Sequence, residues 1–459
     1  MLRLLRGRAA VAPLRSATFR RYLAGQLPSV TCSWAQVVAV SWVVVQLDAP
    51  SLGWVVAAQF LPSLVLGPWF GAVVDRQDRR RILLLAEVSL GLVALAYTVI
   101  SAVGELNLVW VYLLASAWGV ANALDTPARR SLIPLLVPKE HAASASALGG
   151  TVMVLGMAVG TALGAVLITA AGVTIAFAVN TVSFFVDVLV LASLRVEASP
   201  RVQRAPGQVR EGLTYVWGTP RLRTVMLGLA IAATFAFTVQ VSVPILARVA
   251  FAGGPHLVGG LFAAVTAGSL LGTLAFAARR DIGVRAPSRP ALVLAVGLLV
   301  VAVSSDELLA VPGLLLVGSA WAYLISAVVA ILQTAEPRLL GRVMSLFAVV
   351  LLGGTTMGAP ITTLLIELAG PRAPFTIGAV AAFIAAVATR RNLPGRSVLG
   401  EGDLQAAEHS GGKVVQERAQ GGQGGEDHHV HAGDQRRDAE HLLGVDVLLN
   451  PERGGVPRG

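Results

Sequence analysis

The stretch Gly71-Ala-Val-Val-Asp75-Arg-Gln-Asp-Arg-Arg-Arg81 separates two long apolar runs, Leu52–Val74 and Ile82–Val103. Each run is long enough to cross the hydrocarbon core of a bilayer as a helix, which takes about 20 residues. So short a link forces the two helices to run antiparallel, and its four arginines hold it on the cytoplasmic side. Asp75, at the end of the first helix, is placed to hold that helix end against its neighbours.

The same pattern continues along the chain. Of its 459 residues 55% are hydrophobic and 14% charged, and the mean hydropathy is +0.71. This is the composition of a polytopic membrane protein rather than of three soluble domains. The formal charge of +10 is arginine charge, because Lys139 and Lys413 are the only lysines. Those arginines lie between apolar runs, so membrane topology accounts for them and nucleic acid is not an expected partner. Cys32 is the one cysteine, which rules out an intrachain disulfide or a cysteine metal cluster. Arg3, Arg6, Arg8, Arg15, Arg20 and Arg21 precede the first run without a cleavable apolar core, so the N-terminus reads as a cytoplasmic tail.

Twelve runs fit the helical template: 23–47, 52–74, 82–103, 108–125, 145–170, 173–194, 223–247, 256–278, 290–304, 308–332, 343–367 and 373–389. The segments assigned to the cytoplasm hold 28 Arg and Lys, while the outer loops hold only Arg248 and Arg372. That asymmetry puts both termini inside a cell membrane. The expected fold is therefore all-α, with twelve transmembrane helices in two pseudo-symmetric six-helix bundles. Residues 1–194 form the N-terminal bundle, 195–222 a cytoplasmic linker, 223–391 the C-terminal bundle and 392–459 a disordered cytoplasmic tail. Within the linker, 212–217 can form a short amphipathic helix on the inner surface. His428, His429 and His431 read as polar tail, and no metal site is expected. A faint repeat supports the division: Gly67 and Gly71 recur as Gly268 and Gly272, and Pro138 and Ser146 as Pro337 and Ser345. Such internal symmetry is a mark of duplicated transporter folds with a midplane site.

The hinge pattern Gly-x-x-x-Asp-Arg-x-x-Arg-Arg, carried by Gly71, Asp75, Arg76, Arg79 and Arg80, resembles that of the major facilitator superfamily. Phe19-Arg20, Gln36, Trp42, Leu61-Pro62, Thr126-Pro127-Ala128-Arg129, Arg210-Glu211-Gly212, Tyr215, Pro220 and Gly341-Arg342-Val343 narrow the likeness to multidrug and siderophore exporters of the enterobactin-exporter-like branch. The resemblance covers about residues 18–390. Two departures stand out. The glycine motif of the fifth span keeps Gly156, Gly160 and Gly164 but has lost its proline and last glycine, and Phe276 stands where the second-half hinge would carry its acid.

The resemblance implies that Asp75 and Arg76, with Arg79 and Arg80, gate the cytoplasmic side, Arg342 being the nearest partner for Asp75. It also implies that the first, fourth, seventh and tenth spans line a central cavity, which offers Gln36, Asn122, Gln240, Trp321 and Tyr323 as substrate contacts. Few charges and several aromatics there suit an apolar or amphiphilic compound. Charged groups inside spans are costly and point to function, so Asp187 and Glu87 are the candidates for proton coupling. Each has a plainer reading, snorkelling or pairing with a nearby arginine, and Asp125 is placed to pair with Arg129 or Arg130. Gly156, Gly160 and Gly164 share one helix face and suit close helix packing.

No Gly-Lys-Ser/Thr phosphate loop, His-Glu-x-x-His or serine elbow is present, so neither an enzyme nor an ATP-driven pump is expected. The expectation is a monomeric secondary transporter in the lipid bilayer that exports a small lipophilic or amphiphilic molecule, a drug, siderophore or secondary metabolite. It has no cofactor, and the proton gradient supplies the energy. The rivals are an importer or uniporter, a membrane enzyme or scramblase, and a scaffold acting through its tail.

Overall fold

The computed structural model describes residues 11–194, 208–279 and 286–392; the linker segment 195–207 and all but the first residue of the expected tail 392–459 lie outside the described residues. Ten helices are long and apolar enough to cross a membrane. One of these, Lys139–Ser193, turns back on itself at Gly172, and the shorter Ser288–Val303 completes the twelve expected passes. No strand occurs among the described residues.

The spans are α1 (Ala17–Asp48), α2 (Ser51–Arg76), α3 (Arg79–Ala102), α4 (Leu108–Leu132), α5 (142–171), α6 (173–193), α7 (Pro220–Ala250), α8 (Pro255–Ala277), α9 (Ser288–Val303), α10 (Glu307–Leu332), α11 (Pro337–Ala369) and α12 (Ala373–Asn392). Gly172 has φ 82° and ψ 170°, a conformation open only to glycine, and this lets α5 pass directly into α6. Side chains at the turns supply the missing helix partners. Asp78 accepts from the amides of Arg80 and Arg81 at the start of α3, Asn107 from Val109 and Trp110 at α4, and Asp306 from Leu309 at α10.

Packing repeats between the halves. In the first, α1 lies on α5, α2 on α4 and α3 on α6; in the second, α7 lies on α11, α8 on α10 and α9 on α12. Gly119 of α4 meets the carbonyl of Gln59, and Gly318 of α10 meets the carbonyl of Val265 in the corresponding place. Gly156, Gly160 and Gly164 all face α1: a Cβ at each would collide with Val30, with the Thr31 carbonyl and with the Ala35 backbone respectively. Their missing side chains let two backbones approach closely, as small residues do between membrane helices.

The sequence reading of α7 as one continuous span is corrected. It consists of Pro220–Ile231, a wide π turn over Ala232–Ala236, a break at Phe237 and Thr238, then Val239–Ile245 and a second wide turn, Leu246–Ala250. Pro244 has no N–H to continue the helical ladder. Helix geometry can lapse at membrane depth where the backbone is buried in protein or lines a cavity. The linker helix Gln208–Gly218 contains the expected amphipathic segment and packs on α11, with Val216 buried and the Tyr215 hydroxyl accepting from the Glu336 amide.

Candidate functional site

A cavity lies within the first half, beside the seam, with Gln240 as its one lining residue from the second half. It is lined by Ser33, Gln36, Val40 and Ser41 of α1, Val56 and Gln59 of α2, Tyr97 of α3, Trp118 of α4 and Gln240 of α7, and no charged side chain is among its lining residues. Gln36 is held in place, its Oε1 accepting from Asn180 Nδ2 at 2.8 Å. The break in α7 lies just before Gln240. Three of the expected contacts are not among the lining residues. Asn122 lies one turn beyond Trp118. Trp321 is stacked on Phe237 at 4.1 Å and 5°, and Tyr323 meets Phe276 edge-on at 5.3 Å with Arg279 over its ring at 5.4 Å. Phe276 therefore substitutes an aromatic contact inside the second half for the hinge acid.

The halves touch at the end of the bundle away from the termini. There the Gly53 amide donates to Thr363 Oγ1 at 3.2 Å, and Gly53 also abuts the Ala359 carbonyl, which joins α2 to α11. Gly259 of α8 abuts Thr161 and Ala165 of α5, and the Arg248 guanidinium lies 5.8 Å from the Trp42 ring. Towards the opposite end, among the described residues, nothing lies within 4 Å of a Cβ built at Gly67 or Gly71 of α2, or at Gly341 of α11, while a Cβ at Gly353 of α11 would still lie 3.8 Å from Leu64 of α2.

The hinge residues lie at the end of the bundle that carries the termini. Arg80 donates from Nε to the Leu191 carbonyl at 2.9 Å and from Nη2 to Ala192, which satisfies two of the last carbonyls of α6. Arg76 and Arg79 are at the surface, exposed and half-buried. The side chain of Asp75 lies outside the described residues. Arg342, its expected partner, is paired with Glu211 of the linker helix.

Glu87 and Asp187, two separate candidates in the sequence, are brought together on one arginine. Arg129 Nη2 pairs with Glu87 of α3, with Asp125 Oδ1 at 3.0 Å and with Asp187 Oδ2 of α6 at 3.5 Å. Its Nε faces both oxygens of Asp125 at 3.3 Å, and its Nη1 donates to the Tyr22 hydroxyl of α1 at 3.4 Å. Asp125 was legible as the i,i+4 partner of Arg129. The hub role of Arg129 was not, because it depends on four helices meeting. Gln59 was missed as a cavity residue although a lone glutamine in the apolar run of α2 was the available signal, and the Arg248–Trp42 contact gave none.

The described helices and their twofold repeat of pairings define the fold of a polytopic membrane protein built from two similar halves. Residues 8–424 match the family profile described as "Transmembrane secretion effector", and the chain belongs to that family of the major facilitator superfamily, a family of transporters and not of enzymes. It is therefore a multi-pass membrane protein. It is 30% identical over 272 residues to the MFS-type transporter YfiS of Bacillus subtilis (strain 168), a match covering 57% of this chain and 63% of that one, less than two thirds of its length. The multidrug efflux pump Tap of Mycolicibacterium fortuitum is 27% identical over 81% of this chain and 95% of its own. The enterobactin exporter EntS of Salmonella choleraesuis (strain SC-B67) is 27% identical over 44% of this chain and 49% of its own. Among solved structures, the D-xylose-proton symporter matches with TM-score 0.66 at 14% identity, covering 83% of this chain and 98% of that one. An inward-facing, occupied bacterial homologue of the human lysosomal transporter Spinster matches with TM-score 0.65 at 15% identity, covering 83% and 97%. These two likenesses concern the fold alone.

Proposed function

We propose that the chain exports a small, lipophilic or amphiphilic molecule across the cell membrane by alternating access, as a monomer and in exchange for protons. The observation that carries this reading is the chemistry of the cavity lining, three glutamines and two aromatic rings with no charged side chain, which suits an amphiphile better than a sugar phosphate or amino acid; at about 30 Å³ the cavity is nearly closed in this conformation and must widen to admit substrate. Efflux and siderophore-export relatives support the outward direction. The arginine asymmetry supports a cytoplasmic position for both termini, which puts the contacts of Gly53 and Gly259 between the halves on the outer side.

A panel of lipophilic dyes and drugs in inside-out vesicles with an imposed pH gradient tests the whole reading. Accumulation that needs an acidic lumen and collapses with a protonophore is the expected result. Uptake only into right-side-out vesicles would make the chain an importer. Removing 392–459 leaves transport unchanged on this reading, whereas loss would favour a scaffold acting through the tail.

The cytoplasmic gate remains part of the proposal. Exchanging Asp75→Asn is expected to slow accumulation at least about tenfold, equivalent to about 1.4 kcal/mol, with the amount of membrane-inserted protein unchanged. Full activity in that variant would remove Asp75 from the gate.

A further inference from the structure

We propose that Glu87, Asp125 and Asp187, gathered around Arg129, form a buried proton-binding site that carries one proton, on Asp187, in this conformation. The proposal deepens the reading as a proton-driven exporter by naming the place where the driving ion sits, and that place is inside the first half, away from the substrate cavity.

The argument starts from charge. Three carboxyl groups face one guanidinium, so full ionisation would leave two uncompensated negative charges among side chains of which Glu87 is 1%, Asp187 0%, and Asp125 and Arg129 each 13% exposed. Such charges are expensive where water is scarce. Binding a proton is the direct way to remove one.

The second observation is the distribution of donors. Four buried acceptor atoms have no donor: Glu87 Oε2, both oxygens of Asp187 and Oε1 of Gln26. Asp125 by contrast takes hydrogen bonds from Arg129 on both oxygens, and Glu87 takes one on Oε1. Asp187 touches Arg129 only as an ion pair at 3.5 Å, so it is the least compensated of the three. It also lies against the backbone of α1 at Gly25, where any side chain would collide with its Oδ1. Adding a proton there converts a lone acceptor into a donor in a cluster where Glu87, on the same Arg129 Nη2, also keeps an oxygen without a donor.

The groups around it on every packed helix are accounted for. Tyr22 comes from α1, Glu87 from α3, Asp125 and Arg129 from α4, and Arg80 of α3 caps the last carbonyls of α6 one turn beyond Asp187. The partly exposed pair Asp125 and Arg129 forms the mouth of the site. When the proton leaves through that mouth, Asp187 gains a charge and competes with Glu87 for Arg129 Nη2. Proton loss therefore changes which of α3 and α6 the arginine of α4 holds.

Infrared spectroscopy of the purified full-length protein at neutral pH tests the site without a transport substrate, so its outcome is independent of whether export is found. At that pH exposed carboxyl groups are ionised, and a protonated carboxyl band marks a buried group. The expected result is a band that shifts with carboxyl-labelled aspartate, disappears in Asp187→Asn and survives in Asp125→Asn. No band in the unmodified protein, a band that moves with labelled glutamate instead, or one abolished by sodium chloride would overturn the proposal. The isotope shift needs no variant, so the test stands even if Asp187→Asn folds poorly.

Discussion

Replacing Arg129 by methionine is expected to cost the protein its folded first half. The change strands Glu87, Asp125 and Asp187 near one another with no counter-ion, and breaking a buried ion pair by removing one partner costs about 3–5 kcal/mol. Melting temperature and size-exclusion behaviour in detergent would report it as a large fall in the yield of monodisperse protein. The triple variant Arg129→Met, Glu87→Gln, Asp187→Asn should recover part of that yield, because the two most buried acids no longer need a counter-ion and only the less buried Asp125 is left without one; effects within one network are not additive. Arg129→Lys should recover less than the triple variant, since a lysine restores charge but not the planar fork that reaches several acceptors. A normal melting temperature in Arg129→Met would mean that the cluster does not hold the bundle together.

The second large effect concerns conformation rather than folding. Gly53→Leu places a side chain against the Ala359 carbonyl and Thr363 Oγ1, the contact that joins α2 to α11 at the end away from the termini. Pairings inside each half do not involve this position, so the protein should insert and purify normally while that end is wedged apart. A single engineered cysteine at position 59, in a background with Cys32→Ala, would react with an impermeant thiol reagent added outside at least about tenfold faster, a shift of about 1.4 kcal/mol between states. Transport should fall in parallel, because a protein held in one state cannot cycle. Gly160→Leu is the contrasting control. Its Cβ would strike the Thr31 carbonyl and Trp34 inside the first half, so it should reduce folded protein instead. Equal loss of folded protein in both variants would remove the distinction between a mobile seam and fixed bundles.

Much of the architecture was legible because its causes are local. Apolar length marks each span, and Asp78, Asn107 and Asp306 mark helix starts. Asp125 was read as a partner of Arg129 or Arg130, and it meets Arg129. Gln36 and Gln240 were found as cavity residues, since a polar side chain in an apolar span shows itself. Trp321 and Tyr323 show the limit of that signal. They are equally visible in the sequence, but their partners Phe237, Phe276 and Arg279 were chosen by the break in α7 and by the packing of α8 on α10.

The pairing of Arg342 illustrates the same limit. A carboxylate was expected opposite it, and two are available in sequence terms, Asp75 in the hinge and Glu211 in the linker helix. In this structure Arg342 meets Glu211, a partner supplied by the packing of the linker helix on α11.

The sequence by itself determined the class of protein, its twelve passes, their division into halves and the hinge at Gly71–Arg81. Those follow from lengths and charges that the bilayer reads one segment at a time. Only the tertiary structure decided that Glu87, Asp125 and Asp187 share one arginine, that α7 is broken beside the cavity, and that Gly53 closes on Thr363 across 310 residues. Each of these is a meeting of helices distant in the chain, set by how two bundles pack.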